Sequence, residues 1–442
     1  MKRIILSMSL LASASIGAFA QERKINFTEY DLPNGLHVIL HEDHSTPIVK
    51  VSVMYHVGSK NEDPKRTGFA HFFEHLMFEG TDNIGRGEYF KMIQANGGVL
   101  NANTSQDRTY YFQTMPSNQE ELALWMEAER MLHAKIDSTG IETQRKVVKE
   151  EKKQSYDNRP YGHLMEVVFQ NAYNKHPYNW MPIGSAQYID EAKYSEFMDF
   201  YKTFYVPNNA VLVVAGDIKP EQTKKWIEKY YGSIAKGTQT IPRPNVAEPA
   251  FGKEKVAYYY DNVPFPAIIL AYHIPKIGSD DVYALEMLNK LLSNGASSRF
   301  QKELVDKKQM SVGVGAFNFP LEDPGLSMVF GIAAPNVKYE DLQAAMDVEI
   351  EKVKTQPIPA TEFKKLQNQV ESEFVSSNSK IAGIAENLAT NYTYFRNTNL
   401  VNTELAKYQK VTAADLTRVA NKYLNKDNRL VVYYLPKSME KK

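Results

Sequence analysis

His71-Phe72-Phe73-Glu74-His75 is the stretch that decides how this sequence is interpreted. In a helix, positions i, i+3 and i+4 lie on one face, so both imidazoles and the carboxylate point the same way. Buried charged groups need partners, because unpaired buried charge is costly. Apolar residues surround this helix on nearly every side, which is typical of a buried helix: Phe69, Ala70, Phe72, Phe73, Leu76, Met77 and Phe78.

Two interpretations of the motif remain open on these residues alone. The first is a metal site, because H-x-x-E-H is the order of residues in inverted zinc peptidases. The second is a pair of core histidines bonded to the backbone, with Glu74 capping or pairing nearby. A chance match in a chain with 10 histidines is on the order of one per cent. A third ligand would favour the metal site over the pair of core histidines, since hydrolytic zinc sites keep three protein ligands and one open position.

Length and composition describe a folded protein with more than one core. The chain has 442 residues, of which 43% are hydrophobic and 24% charged. Two domains of about 200 residues are expected at this length. The formal net charge is zero, with 52 basic and 52 acidic residues. Nothing in this balance favours a nucleic acid or an anionic membrane as a partner.

The N-terminus has the pattern of a secretory signal peptide over residues 1–20. Lys2 and Arg3 precede the apolar run 4–19, and the run ends in Ala18-Phe19-Ala20. We expect cleavage before Gln21; an uncleaved membrane anchor is the alternative. No later stretch is long and apolar enough to span a bilayer, so the mature chain is expected to lack a membrane span. The chain has no cysteine, and we expect export to a bacterial periplasm.

The rest of the chain has the pattern of an internal duplication. Residues 236–252 carry several Pro, Gly and Thr residues and are predicted to be a linker. The linker separates a first half, residues 25–235, from a second half, residues 253–438. Asn209 and Asn428 end similar segments before similar strands, with an offset of 428 − 209 = 219 residues. The helix that carries the motif has a counterpart beginning at Tyr283, but only the first copy keeps His and Glu there.

The order of elements favours an α+β fold. Strands are predicted at 36–41, 49–57 and 108–114, and long helices follow at about 119–132 and 141–155. Strands that come early and helices that come later are typical of α+β domains rather than of a wound parallel sheet.

A helix beginning at Thr139 is the best source of the third ligand. Thr139-Gly140-Ile141-Glu142 has the form of a capping box. Ile141, Val148 and Glu151 share one stripe of this helix, which turns Glu151 inward. Glu150 lies about 100° away and can pair with Lys146 on the surface. The alternative, since this helix is heavily charged, is that both glutamates are solvated.

The whole pattern resembles the pitrilysin/insulinase family of zinc metallopeptidases, which includes the mitochondrial processing peptidase. The family has a glutamate some 76 or 77 residues after the second histidine, and here 151 − 75 = 76. The similarity covers nearly all of the mature chain. Further matching segments are Leu32-Pro33-Asn34-Gly35-Leu36, His176-Pro177-Tyr178, Ile183-Gly184, 205–217 and Ser297-Ser298-Arg299-Phe300.

The resemblance implies two homologous α/β-sandwich domains per chain, which together form half of a clam-shell peptidase. It implies that His71, His75 and Glu151 bind Zn²⁺ and that Glu74 is the catalytic base. The family often has another glutamate one or two turns before the third ligand, but this chain has Gln144 there.

The resemblance also implies a place for the substrate. Asn101, Ala102 and Asn103 lie in a segment similar to the edge strand on which the family binds extended peptides by adding a strand. A loop with local side-chain-to-backbone bonds is the alternative for this segment. His176 is expected to be structural rather than to position substrate.

One departure from the family predicts a second subunit. Active relatives carry an Arg and, seven residues later, a Tyr in the second half. These places align with Val305 and Val312, and Arg299 comes too early to serve. Neither valine can donate a hydrogen bond, so we expect a partner subunit to supply the pair in a heterodimer. An active homodimer, a non-catalytic peptide-binding or structural relative and, least favoured, a zinc hydrolase acting on a small molecule are the alternatives.

Overall fold

The computed structural model describes residues 24–440; the signal peptide predicted at 1–20 lies outside them. The strands are β1 Thr28–Asp31, β2 His37–Glu42, β3 Ile48–Tyr55, β4 Val99–Thr104, β5 Thr109–Pro116, β6 Ala210–Gly216, β7 Lys255–Asp261, β8 Ala267–His273, β9 Ser311–Phe319, β10 Leu326–Ala333 and β11 Arg429–Pro436.

The helices are α1 Phe69–Leu76, α2 Glu88–Ala95, α3 Glu120–His133, α4 Ser138–Lys152, α5 Leu164–Ala172, α6 Ala186–Glu191, α7 Tyr194–Phe204, α8 Pro220–Tyr231, α9 Asp280–Ser293, α10 Tyr339–Thr355, α11 Ala360–Ser377, α12 Ile381–Phe395, α13 Leu400–Lys410 and α14 Ala413–Tyr423. None of them is both long and apolar enough to cross a membrane.

Each half of the chain builds one sheet, and the two sheets have the same topology. The first sheet has the order β1-β2-β6-β3-β5-β4 and the second has the order β7-β11-β8-β10-β9. In both, one parallel pair, β2 with β6 or β7 with β11, is followed by antiparallel pairs only. If β1 is left out, the strands of the two sheets correspond one to one: β2, β6, β3, β5 and β4 of the first sheet match β7, β11, β8, β10 and β9 of the second. This match confirms the α+β fold and the duplication.

Each sheet is covered on one face by helices of its own half. In the first half, α1, α3, α7 and α8 share a core with the sheet, and the core includes Phe72, Leu124, Phe197 and Ile227. In the second half, α9, α10, α11 and α14 play the same part, with Leu288, Met346, Leu366 and Leu416 in the core. One face of each sheet remains for other elements to cover.

The second face of each sheet is covered by a helix from the other half. On the first sheet, α12 packs Ile384 and Leu388 against Ile39, Met54 and Val213. On the second sheet, α5 packs its apolar residues in the same way, and this core contains Val168, Phe169, Ile269, Met328 and Val432. Strands buried on both faces need continuous apolar runs, and β6, Ala-Val-Leu-Val-Val-Ala-Gly, is buried throughout. The halves therefore exchange helices and share their cores.

A buried charged cluster joins the halves beside this exchange. The Lys60 side chain is 4% exposed, and its Nζ lies 2.6 Å from Glu322, 2.9 Å from Asp107 and 3.2 Å from Asp323. His56 Nε2 lies 2.9 Å from Glu322. Burial alone would raise the pKa of Glu322, but His56 and Lys60 outweigh it and lower the pKa to about 2. The loop between β9 and β10 is thus held on the first half by charge-assisted hydrogen bonds.

The start of α4 differs from the sequence prediction. The capping box predicted at Thr139–Glu142 is wrong, because the helix begins at Ser138 and Asp137 is its N-cap, accepting a hydrogen bond from Gly140 N at 2.8 Å. Glu142 instead pairs with Arg145 on the surface. Residues 236–252 contain no helix or strand, as expected of the predicted linker. The domain boundaries proposed from the sequence stay a prediction.

The helix exchange predicts that the halves unfold together. Leu388→Ala should lower the free energy of unfolding by about 2–5 kcal/mol, because it leaves a cavity on the first sheet. Urea unfolding followed by tryptophan fluorescence measures this, since Trp125, Trp180 and Trp226 all lie in the first half. The control is Val375→Ala, at a residue 55% exposed on α11, which should change the free energy by less than about 0.5 kcal/mol. An unchanged fluorescence midpoint in Leu388→Ala would contradict the exchange.

The charged cluster predicts an acid-dependent interface. A carboxyl group whose pKa is lowered by folding stabilises the folded state at pH values above its unfolded pKa of about 4.3. This stabilisation is lost as the pH falls through the folded pKa of about 2. At pH 6, Glu322→Gln should therefore be less stable than the wild type by about 1–2 kcal/mol, and the gap should shrink at pH 3. Urea midpoints at both pH values measure the gap.

The matched control for this variant is Glu221→Gln, because Glu221 pairs with Lys224 on the surface. Its midpoint should stay near that of the wild type at both pH values. A gap for Glu322→Gln that is equally wide at pH 6 and pH 3 would argue against the role given to Glu322.

Candidate metal centre

Helix α1 begins where the backbones of two glycines lie in close contact, and its N-terminus is capped by a side chain outside the helix. Gly68 precedes the helix with φ +101°, and a Cβ on Gly184 would lie 2.2 Å from Gly68 N. The buried Glu62 carboxyl accepts hydrogen bonds from Gly68 N at 2.9 Å and from Ala70 N at 2.8 Å. Trp180 Nε1 donates to the same carboxyl at 2.9 Å. The first backbone N–H groups of a helix have no partner within the helix, so these hydrogen bonds from Gly68 and Ala70 to Glu62 fix where α1 begins.

Aromatic packing fixes the rotation of α1. The Phe69 and Phe197 ring centroids lie 4.8 Å apart, and those of Phe73 and Phe200 lie 5.1 Å apart. Both partners lie on α7. With its phenylalanines buried against α7, the helix turns its opposite face, which carries His71, Glu74 and His75, toward a cleft.

Helix α4 brings the third side chain to that face. Ile141 and Val148 pack in the same core as α1, and Glu151 lies on the side that faces the histidines. Glu151 Oε2 lies 3.2 Å from His75 Nε2 and 3.6 Å from His71 Nε2. One ligand-type atom of each of the three residues lies within 4.8 Å of the others.

These distances fit a tetrahedral metal ion. Ligands about 2.1 Å from a zinc ion at the tetrahedral angle are separated by about 3.4 Å, and 3.2 and 3.6 Å bracket that value. Two imidazole nitrogens and one carboxylate oxygen are also the donor set of many hydrolytic zinc sites. His71 Nδ1 is buried without a hydrogen-bond partner among the described residues. The three residues could therefore hold a zinc ion through His71 Nε2, His75 Nε2 and Glu151.

The protonation states suit a metal as well. Burial lowers the pKa of His71, and the neighbouring His75 lowers it further. The hydrogen bond with His75 lowers the pKa of Glu151. A neutral imidazole and an ionised carboxylate are the forms that bind a cation.

Glu74 lies beside these three residues and is held by a hydroxyl group. Thr104 Oγ1, at the end of β4, donates a hydrogen bond to Glu74 Oε2 at 2.6 Å. Burial raises the pKa of Glu74, and the bond from Thr104 acts in the opposite direction. A carboxylate with a raised pKa is a stronger base, which suits it to accept a proton.

The cleft in front of these residues has a volume of about 400 Å³. Edge strand β4 forms one side of it, and Phe319 of the second half closes another. The lining residues are His71, Glu74, Ala102, Asn103, Thr104, Ser105, Gln106, Glu151, Tyr156, Met181, Pro182, Ile183 and Phe319.

The three residues predicted to bind substrate all lie on β4, but they differ in exposure and in whether they line the cleft. Ala102 is buried and Asn103 is exposed, and both line the cleft. Asn101 is exposed outside the lining, and its Oδ1 accepts a hydrogen bond from Ala102 N at 2.9 Å. Asn103 Oδ1 accepts a hydrogen bond from Arg108. Because β4 pairs with β5 alone, its other edge is open in the described structure.

Glu150 and Gln144 lie away from the candidate ligands. Glu150 is exposed and accepts a hydrogen bond from Gln154 rather than from Lys146. Gln144 donates to Glu79 rather than to His71, His75 or Glu151.

His176 and the two valines also lie outside the cleft lining. His176 is 2% exposed, and its Nε2 lies 3.3 Å from Asp323 at the contact between the halves. Val312 is 53% exposed on β9, and Val305 is half-buried before β9.

The corresponding place in the second half holds amides and a hydroxyl. Asn289 on α9 donates to Asn318 Oδ1 at 2.6 Å and to Ser327 Oγ at 3.0 Å. No histidine or carboxylate joins this cluster among the hydrogen bonds of residues 24–440. The duplicated unit therefore keeps a polar contact here but not a set of metal ligands.

Sequence reasoning missed Glu62, Thr104 and Tyr156. An acidic residue six positions before a glycine that opens a helix was the available signal for Glu62. Thr104 lies at the end of the predicted edge strand, but nothing local links it to Glu74, which is 30 residues earlier.

Two models of one family match successive parts of the chain. Residues 37–181 match the model described as insulinase (peptidase family M16), and residues 192–370 match the model described as peptidase M16 inactive domain. The first match contains the candidate metal residues, and the second contains the Asn289 cluster.

The relatives with similar sequences have names of proteases or peptidases. The zinc protease PqqE of Helicobacter pylori is 32% identical over 98% of this chain and 99% of its own length. A probable mitochondrial-processing peptidase subunit beta of Arabidopsis thaliana is 26% identical over 89% of this chain and 75% of its own length.

Solved structures agree with the fold. The crystal structure of a protease from Helicobacter pylori superposes with a TM-score of 0.89 at 31% identity, over 93% of this chain and 100% of the other. The periplasmic protease PqqL of Escherichia coli shares the fold, with a TM-score of 0.75 at 16% identity, over 92% of this chain and 47% of its own. The chain therefore belongs to the insulinase (M16) family of peptidases.

Proposed function

We propose that this chain is a zinc-dependent endopeptidase that cleaves peptides or unfolded protein segments, and that it is the metal-bearing subunit of a two-subunit enzyme. The observation that carries the proposal is Glu74, a base with a raised pKa, beside three ligand-type side chains in a cleft bordered by the open edge of β4. An extended peptide can pair with such an edge and present its backbone to the base.

The chain's own residues divide the chemistry among them. His71, His75 and Glu151 would hold the zinc ion, which when bound acidifies a water molecule and polarises the scissile carbonyl. Glu74 accepts the proton of the attacking water and returns it to the leaving amine. Thr104 keeps the Glu74 carboxylate oriented through its 2.6 Å hydrogen bond.

A second subunit is proposed because the second half lacks two hydrogen-bond donors that the family resemblance implies. Val305 and Val312 stand where the family resemblance implies an Arg and a Tyr, and neither valine side chain can donate a hydrogen bond. A missing donor of this kind is worth roughly 3–4 kcal/mol of the activation barrier. A second subunit of the same family would supply the pair and would close the cleft from the other side.

Export is part of the proposal. Its support is the sequence pattern of residues 1–20, with Lys2 and Arg3 before an apolar run that ends in Ala18-Phe19-Ala20. We propose that the mature chain works in a bacterial periplasm.

The ligand assignment predicts different zinc contents for two adjacent variants. Glu151→Gln should weaken zinc binding by more than about 100-fold, because loss of a direct ligand costs more than loss of a supporting contact. Glu150→Gln is the matched control and should keep one zinc ion per chain. Mass spectrometry after dialysis against a chelator measures this. Full zinc retention by Glu151→Gln would remove Glu151 from the site.

The mechanism predicts the effect of losing the base. Glu74→Gln should lower the rate of hydrolysis of a quenched unfolded peptide by about 10²–10⁴-fold with zinc content unchanged. The same assay tests the second subunit. The purified chain should cleave slowly alone and faster with a family member that carries the Arg and Tyr.

Two results would count against this mechanism. Full activity of the chain alone, as a monomer or homodimer, would eliminate the two-subunit version. No hydrolysis in either condition would favour a non-catalytic peptide-binding protein.

A further inference from the structure

We propose that the Tyr156 hydroxyl donates a hydrogen bond to the scissile carbonyl oxygen as that oxygen gains negative charge. This assignment rests on the proposed peptidase function and deepens it, since it places one transition-state donor within this chain. Tyr156 lines the cleft together with His71, Glu74 and Glu151. No proton is transferred by Tyr156, because a phenol stays protonated at neutral pH.

A change of helix type brings Tyr156 to the cleft. Helix α4 ends at Lys152, and Lys153–Asp157 form a wider turn of π-helix in which Asn158 N donates to the Lys153 carbonyl at 2.8 Å. In an α-helix, five residues rotate by about 500°, which would place Tyr156 about 140° away from Glu151. A π-helical turn rotates less per residue, so Tyr156 stays nearer the face that carries Glu151.

The following loop holds Tyr156 in this position. Tyr161 has a left-handed backbone conformation, with φ +60°, and turns the chain back toward the π-helical turn. A Cβ on Gly162 would lie 2.1 Å from the Tyr156 carbonyl oxygen, so the loop packs directly on the Tyr156 backbone. The Tyr156 ring also lies near His163, with 6.4 Å between the ring centroids. These contacts fix the backbone and limit the positions open to the ring.

The Tyr156 hydroxyl is free for a ligand. Three of the residues that line the cleft carry a hydroxyl group, namely Thr104, Ser105 and Tyr156. Thr104 donates to Glu74, and Ser105 donates to the Arg108 carbonyl at 3.3 Å. Tyr156 makes no side-chain hydrogen bond within residues 24–440. By contrast, Tyr161, five residues later, donates to the Phe265 carbonyl at 2.8 Å.

The reaction needs a donor of this kind. Glu74 accepts the proton of water and cannot at that moment stabilise a developing negative charge. A donor placed in advance at the carbonyl oxygen lowers the barrier, because it need not reorganise when the charge appears. Tyr156 is the lining hydroxyl whose proton is not already used by the protein.

Tyr156→Phe, with Tyr258→Phe as its control, tests the assignment. In Tyr156→Phe we expect kcat to fall by about 10–100-fold with KM nearly unchanged and zinc content intact. Tyr258 is 56% exposed on β7 and lies outside the cleft lining, so Tyr258→Phe should keep the wild-type kcat. Gly162→Ala, which displaces the Tyr156 backbone without removing the hydroxyl, should lower kcat by an intermediate factor.

A binding measurement gives a readout other than activity. Calorimetry compares a phosphinic peptide, which mimics the tetrahedral transition state, with the unmodified peptide bound to a Glu74→Gln background. Tyr156→Phe should raise the Kd of the phosphinic peptide by about 10–100-fold and leave the Kd of the unmodified peptide within a factor of three.

Equal weakening of both ligands, or no change in either, would overturn the assignment. A wild-type protein that cleaves no peptide, with or without a second subunit, would instead overturn the proposed function. The two failures are distinguishable, because the wild-type protein still cleaves peptide when only the assignment of Tyr156 is wrong.

Discussion

The exchange of α5 and α12 between the halves is the constraint on which the rest of the structure depends. Each sheet has two apolar faces, and helices of its own half cover one of them. Leu388 and its neighbours on α12 close the other face of the first sheet, and Phe169 on α5 does the same for the second. Because neither sheet is fully buried without the other half, strand β4 and helix α1 are held in place by the whole chain. The candidate metal centre is built from a few neighbouring residues, but the core beneath it is shared by both halves.

The sequence indicated the candidate metal residues, but it gave no indication of this exchange. The motif at His71–His75 carries its own geometry, since helical spacing alone places three side chains on one face. Glu151 followed from a short apolar stripe on one helix. The apolar runs of β6 and β11 indicate burial on both faces, but they do not say which helix supplies the cover. That information lies in packing between residues far apart in the sequence, such as Lys50 and the Ala382 carbonyl, which are 332 positions apart, and local patterns do not carry it.

The site residues that sequence reasoning missed are placed by hydrogen bonds or by helix geometry that the periodicity of the sequence does not indicate. Glu62 caps α1 from outside the helix, Thr104 reaches Glu74 from another strand, and Tyr156 enters the cleft because a helix widens by one residue. The misplaced start of α4 has a more local cause. Asp137 and Thr139 are both good capping residues, and the structure uses the earlier one.

The amide and hydroxyl cluster around Asn289 contrasts with helix α12 of the same half. Within residues 24–440 the cluster includes no histidine or carboxylate, so the group of candidate metal ligands lies in the first copy. Helix α12, by contrast, covers one face of the first sheet. A substitution at Asn289, Asn318 or Ser327 therefore alters a local polar contact, whereas a substitution at Leu388 alters the core of the other half. The two halves differ in the side chains that they carry at this position, but each half still depends on a helix of the other to complete its core.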